Sequence, residues 1–330
     1  MQERILGLGN ALVDILVRIP NDNLLRKFGL PKGAMNLVDE SRSAEIFEAV
    51  KDLRPQIVCG GSAANTICGL ANMGVSTGFM GMTGGDDLGE QYEADLRGSG
   101  VETLMTTSST RTGSCISLIT PDSERTMCTC LGAAVEMGRE DIDTRAFDDY
   151  SHLYLEGYLV QNPELIESVL PLAKQKGMTT MLDLASFNVV EENLELLQRL
   201  IAKYVDVVFA NEEEATAFTG KEDEEALNEM GEMAECVVLK QGRRGSLVKV
   251  GDERARVGIV KANPIDTTGA GDLYASGFIW AKINGFSPVE CATAGAVTSG
   301  NVIEVIGSKM DANRWTNIRQ TLKRLLPKND

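Results

Sequence analysis

Three small residues, Gly269, Ala270 and Gly271, stand directly before Asp272 and the helix-like run 273–281. Such a start leaves backbone N–H groups bare at a helix N-terminus, which suits an anion. Asp272 falls in the first turn beside that site. A cap alone would be served by the aspartate and has no need of three small neighbours. Phosphoryl transfer has that need: donors stabilise charge on the moving group while a carboxylate takes the proton of the attacking hydroxyl. The positive end of the helix is expected to keep Asp272 ionised at neutral pH.

Four other clusters could serve the same chemistry, and each also has a plainer structural reading. Asp14 lies in the apolar strand "ALVDILV", either as an edge-strand charge facing water or as an acceptor for ligand hydroxyls. Residues 60–65, Gly-Gly-Ser-Ala-Ala-Asn, open a helix whose first turn is nearly free of side chains. That suits close helix–sheet packing, and it equally suits a ligand approaching the backbone. Asn211 to Glu214 follow the strand "VDVVFA", where open α/β sheets bind ligands. Asn211 and Glu214 would share a helix face and could order a water on Mg²⁺, or the acids simply favour a first helical turn. "QGRRGS", with Gly242 and Gly245, reads as a tight turn between strands. Gly7-Leu8-Gly9-Asn10 begins a dinucleotide fingerprint but lacks the third glycine, and a strand rather than a helix follows. No Walker-type phosphate loop is present.

The elements that must position these residues are legible as patterns. From His152 onward, nearly continuous apolar strands ("HLYLEGYLV", "TTMLDLA", "VDVVFAN", "CVVLKQG") alternate with helices near 163–176 and 191–203. That pattern predicts a parallel sheet covered on both faces. Two alternating regions do not fit it: the N-terminal strand around Asp14, and 111–131, a predicted hairpin about Pro121-Asp122-Ser123. They predict a small separate sheet, solvated on one side. A helical pattern is expected from Ser41 to the glycine pair.

Composition narrows the function classes. With 32 Lys+Arg against 48 Asp+Glu the net charge is −16, which argues against nucleic-acid or anionic-membrane partners. Neither a secretory leader nor a membrane span is expected. The seven cysteines, none at C-x-x-C spacing, are read as reduced thiols of a cytoplasmic protein. His152 is the only histidine, which leaves little room for a Ser-His-Asp hydrolase or a histidine metal site.

Taken in order, "GNALVDI", "GGSAANTICGLANMG", "NEEEA", "KQGRRGS" and "DTTGAGDLYASGF" resemble the ribokinase-like (PfkB-type) carbohydrate kinases over nearly the whole chain. The resemblance implies one domain over 1–330: a doubly wound, mainly parallel α/β sheet with helices on both faces. A small β-sheet lid would be formed by about 12–40 and 111–131. It implies Asp272 as base and Gly269, Ala270 and Gly271 as anion hole. Asn10, Asp14, Gly61 and Asn65 would bind substrate. Asn211, Glu214, Gly242, Gly245 and Asn301 would serve ATP, with Glu214 meeting Mg²⁺ through water. Asp266 and Thr268 match positions that bind a monovalent cation, K⁺, in some members. Ribokinases proper carry a lysine after the paired glycines, where this chain has Ser62. The long 21–39 connection instead resembles the adenosine-kinase branch, which points to a ribonucleoside or another sugar rather than ribose. A monomer or a lid-mediated homodimer is implied. Rival readings are a kinase of phosphorylated sugars, for which Arg125, Arg97 and Arg111 are the candidate cations, and a non-catalytic sugar or nucleoside binder.

Overall fold

A computed structural model describes residues 3–122 and 124–326. Its first half runs β1 (Arg4–Leu8), β2 (Leu12–Arg18), α1 (Asn23–Phe28), β3 (Met35–Leu37), α2 (Glu40–Val50), β4 (Gln56–Cys59), α3 (Ser62–Asn72), β5 (Ser76–Gly84), α4 (Asp87–Gly98), β6 (Glu102–Ser108), β7 (Gly113–Ile119) and β8 (Arg125–Cys130). The second half runs β9 (His152–Glu156), α5 (Pro163–Gln175), β10 (Thr179–Asp183), α6 (Phe187–Glu192), α7 (Leu194–Tyr204), β11 (Val207–Asn211), α8 (Glu212–Thr219), α9 (Asp223–Met230) and β12 (Cys236–Lys240). It closes with β13 (Ser246–Val250), β14 (Glu253–Val257), α10 (Ala270–Ile283), α11 (Pro288–Val302) and α12 (Ala312–Leu325).

Nine strands form the large sheet in the order β14-β13-β12-β11-β10-β9-β1-β5-β6. Pairing is parallel except at β12–β13 and β13–β14. Side chains alternate between two cores. In β11, Val207 and Phe209 join Phe278 of α10 and Val297 of α11, whereas Val208 and Ala210 join Leu170 of α5 and Leu200 of α7. Phe209 and Phe278 meet edge to face at 5.6 Å. Each side chain buried this way contributes about 1.5–3 kcal/mol, so both faces hold their helices firmly. Strand order reverses at β1, with β5 and β6 to one side and β9 to β12 on the other. Ligands of open α/β sheets bind outside the strand ends at such a reversal.

The second sheet has the order β3-β8-β7-β2-β4. Ile15, Val17, Ile116 and Leu118 pack against Leu25 and Phe28 of α1 and Ile46 of α2. β7 and β8 form the predicted antiparallel hairpin; Ser123 lies outside the described residues. Two expectations are corrected. The helical run from Ser41 ends at Val50, and after Pro55 the chain forms β4, antiparallel to β2. The small sheet therefore extends beyond 12–40 and 111–131. Its other face is also not simply solvated: Leu12 and Asp14 line a cavity, and Leu16 lies against Gly307.

Among the described residues no helix is long and apolar enough to cross a membrane. All seven cysteines are free thiols.

Candidate active site

Asn10, Asp14, Gly61, Asn65 and Asp272 line one cavity of about 120 Å³ beside the strand reversal. The glycine pair makes this assembly possible. A Cβ on Gly60 would fall 2.2 Å from Asp14 Oδ2, and one on Gly61, at φ 90, would fall 2.6 Å from the Asn10 carbonyl. Close packing and access to the backbone are thus both present at the head of α3. Ser62 Oγ donates to Asp272 Oδ1 at 2.7 Å, and Asn65 Nδ2 donates to Oδ2 at 2.8 Å. Ser308 Oγ donates to Asn65 Oδ1 at 2.7 Å, which fixes the orientation of that amide. Burial raises the Asp272 carboxyl above its ordinary 3.8, while Asn65, Ser62 and the Lys240 charge hold it down. The direction is opposite to the expected helix-end effect, and a raised carboxyl is the stronger base.

Asp14 is no edge-strand charge. β2 lies between β7 and β4, and Asp14 is only 7% exposed. Burial pushes its carboxyl up to about 6 against the pull of Arg125. Among the described residues its carboxylate has no hydrogen-bond partner. Gln161 Oε1 is likewise buried without a partner, and Arg125 brings a guanidinium to the same cavity. Buried polar groups are nearly always satisfied, so these groups await a ligand that both donates and accepts.

Sequence reasoning missed Glu156, at the end of β9. Its carboxylate accepts from Asn10 N at 3.0 Å, Asn10 Nδ2 at 2.9 Å and Ala63 N at 2.9 Å, joining β1, β9 and α3 across the reversal. Burial raises it to about 7 despite those donors. The available signal was a lone acid ending an apolar strand.

A separate groove of about 460 Å³ runs past Gly242, Gly245 and Ala270, with Val260, Tyr274 and Ile303 along its walls. Gly245 has φ 93, and a Cβ there would fall 2.0 Å from the Val257 carbonyl, so the hairpin turn itself demands glycine. Gly269 caps α10 in the left-handed region at φ 73. Ala270 faces the groove and Asp272 the cavity, so the first turn of α10 divides the two spaces.

Other candidates fall elsewhere. Asn211 is the N-cap of α8 and does not share a helix face with Glu214; the two form a capping box. Asn211 N and Nδ2 donate to Glu214 at 2.8 and 2.6 Å, and Glu214 is 2% exposed. The neighbouring acids avoid mutual repulsion: Glu212 pairs with Arg244, Glu213 faces solvent, and Glu214 feels the Lys240 charge. Asn301 does not line the groove. Ala296, Ser299, Gly300 and Ile303 make the groove-facing stripe of α11, and Asn301, off that stripe, donates to Val297 O. Asp266 Oδ1 accepts from Thr268 N and Oγ1, and Oδ2 from Gly307 N, tying the loop before α10 to residue 307. Arg97 pairs with Glu93 on the surface and Arg111 lies near Glu40, so neither joins Arg125 in the cavity.

Comparison with known proteins agrees with this architecture. The family model for pfkB family carbohydrate kinases matches residues 35–314. The chain is 28% identical to an adenosine kinase of Schizophyllum commune over 342 residues, covering 94% of this chain and 97% of that one. The structure of adenosine kinase from Sinorhizobium meliloti superposes with a TM-score of 0.92 at 34% identity, covering 97% of this chain and all of that one (100%). A probable sugar kinase from Rhizobium etli CFN 42 also superposes at 0.92, with 32% identity and coverage of 97% and 99%. With its ribokinase-like α/β fold and these end-to-end matches, the chain belongs to the pfkB family of carbohydrate kinases, phosphotransferases with an alcohol acceptor.

Proposed function

We propose that the protein moves the γ-phosphoryl group of ATP to a primary hydroxyl of a ribonucleoside or sugar, with Asp272 as the base. One observation carries this reading: the head of α10 stands between the cavity and the groove, with Asp272 on the cavity side and Ala270 on the groove side. The substrate occupies the cavity, with its hydroxyls satisfying the unpaired Asp14 carboxylate. The nucleotide occupies the groove along Gly242 and Gly245. Ala270 N already donates to Thr267 O at 3.1 Å, so the N–H groups of Gly271 and Asp272 hold the moving phosphoryl group, whose transfer needs positioning and charge stabilisation more than strong base catalysis. Ser62 and Asn65 aim the Asp272 carboxylate at the attacking hydroxyl and favour its ionised form against the effect of burial. The small sheet serves as a lid that excludes water from the transfer.

Mg²⁺ supplies charge neutralisation on the phosphates when bound. Asn211 and Glu214, hard oxygen donors at the end of β11, fit such an ion only through water, because their oxygens already serve each other. Asp266, with Oδ1 accepting from Thr268 and Oδ2 from Gly307 N, serves first to fix the loop that leads into α10. A phosphorylated substrate is disfavoured, because Arg125 shares the cavity with Asp14, Glu156 and Asp272. The seven free thiols suit a reducing, cytoplasmic setting.

The test is ADP release with Mg·ATP across adenosine, inosine, ribose, fructose and fructose phosphates. Turnover on a nucleoside or unphosphorylated sugar supports the reading. Turnover on fructose phosphates alone, or failure to bind ATP, contradicts it.

A further inference from the structure

Asp183 of β10, Asn211 of β11 and Lys240 of β12 end three neighbouring strands at the C-terminal edge of the large sheet, with Asn211 level with Lys240 and Asp183 level with Phe209. Lys240 Nζ donates to Asp183 Oδ2 at 2.7 Å, with the two side chains 15% and 5% exposed. An ammonium has three donors, and among the described residues the other two have no partner. Nζ also lies 3.1 Å from the place a Cβ on Gly271 would take, directly against the anion-binding turn of α10. Half-buried ammonium donors left open beside the open backbone N–H groups of Gly271 and Asp272 point to an anionic ligand.

The charge balance agrees. Asp183, Glu214 and Asp272 all act on Lys240, so one cation faces three carboxyls in a chain whose net charge is −16. A nucleotide triphosphate can enter such surroundings only where a local cation opposes the field.

Resting on the kinase reading above, we propose that Lys240 is a catalytic residue whose ammonium contacts the γ-phosphoryl oxygens during transfer, with Asp183 holding it in position. The bond from the γ-phosphorus to the ADP oxygen breaks, and its electron pair stays on ADP. The bond from the substrate hydroxyl oxygen to phosphorus forms, and Asp272 receives the hydroxyl proton. Lys240 stays protonated throughout, its positive charge meeting the charge that gathers on the phosphoryl oxygens. Gly271 is small for this reason: a side chain there would occupy the space between the ammonium and the turn.

The test compares wild type with Lys240→Met and with Lys240→Met/Asp183→Asn. The single variant leaves a buried carboxylate unpaired and is expected to lose stability; the double variant removes both charges and restores it. In the double variant kcat is expected to fall about 100- to 1000-fold, the usual loss when one preorganised donor is removed, with KM for the acceptor unchanged. Calorimetry should show weaker binding of Mg·ATP with Mg·ADP binding unaltered. A stable double variant turning over within threefold of wild type, or one whose ATP and ADP affinities fall together, overturns the assignment and leaves the kinase reading intact. Wild type that binds ATP but turns over no acceptor counts against the substrate reading, and the ATP–ADP comparison still decides Lys240.

Discussion

Asp14→Asn should stabilise the protein while removing its activity. The Asp14 carboxyl is buried without a hydrogen-bond partner and is raised from 3.8 to about 6, a value that already includes the help of Arg125. A shift of about two units corresponds to about 3 kcal/mol of preference for the protonated form. Because the folded pKa is the higher one, that stability is present below pH 3.8 and is lost as pH rises through about 6. At neutral pH the wild-type fold therefore carries the full penalty, which the variant escapes. The new amide also lacks partners, which takes back about 1 kcal/mol or more. A net gain of about 1–2 kcal/mol should raise Tm by about 2–3 °C for a chain of this size. Scanning calorimetry from pH 5 to 8 should show the gain growing as pH rises through 6. Acceptor binding should weaken at least tenfold, because a hydrogen bond to a charged group is worth about 1.5–3 kcal/mol. A variant less stable than wild type, with no pH dependence in the difference, would refute the idea that Asp14 is an unsatisfied acceptor kept for a ligand.

Ser62→Ala removes a donor to the ionised form of Asp272, so its carboxyl should rise further. The acid limb of the kcat/KM profile should then move to higher pH; an unmoved limb would separate Ser62 from the base. Glu156→Leu orphans Asn10 N, Asn10 Nδ2 and Ala63 N. Urea unfolding should show a loss of about 2–4 kcal/mol, since each buried donor left open costs about 1–3 kcal/mol and relief of a buried carboxyl offsets part of it. Gly245→Ala forces a side chain onto the Val257 carbonyl at a φ of 93. Calorimetry should show Mg·ATP binding weakened at least about tenfold by this strain, with acceptor binding unchanged.

The residues legible in the sequence were those whose local pattern is costly without a use. Gly60 and Gly61 before a helix, Gly269 to Asp272 at another, and an aspartate inside an apolar strand all stand out against their neighbours. The large sheet was legible because strands buried on both faces read as continuous apolar runs. What stayed hidden depends on long-range assembly. Asp183 and Lys240 are ordinary strand-end residues until β10 and β12 lie two places apart in the sheet, flanking β11. Gln161 is one more polar residue until its amide oxygen is found buried in the cavity wall. β4 was lost because four residues after Pro55 are too few to show a period. Asn211 and Glu214 show the opposite error. The N-x-x-E spacing is itself a capping-box signature, and that local meaning was passed over for a shared helix face.

Asp272→Asn keeps the shape and the neighbours of the proposed base while removing its capacity to take a proton. Measured side by side, ATP affinity, acceptor affinity and single-turnover phosphorylation test the role of this residue most directly. The expected result is near wild-type binding of both ligands, with the transfer step slowed about 100- to 10,000-fold, the range for loss of a general base. Transfer within a few-fold of wild type would contradict the placing of the base at the head of α10.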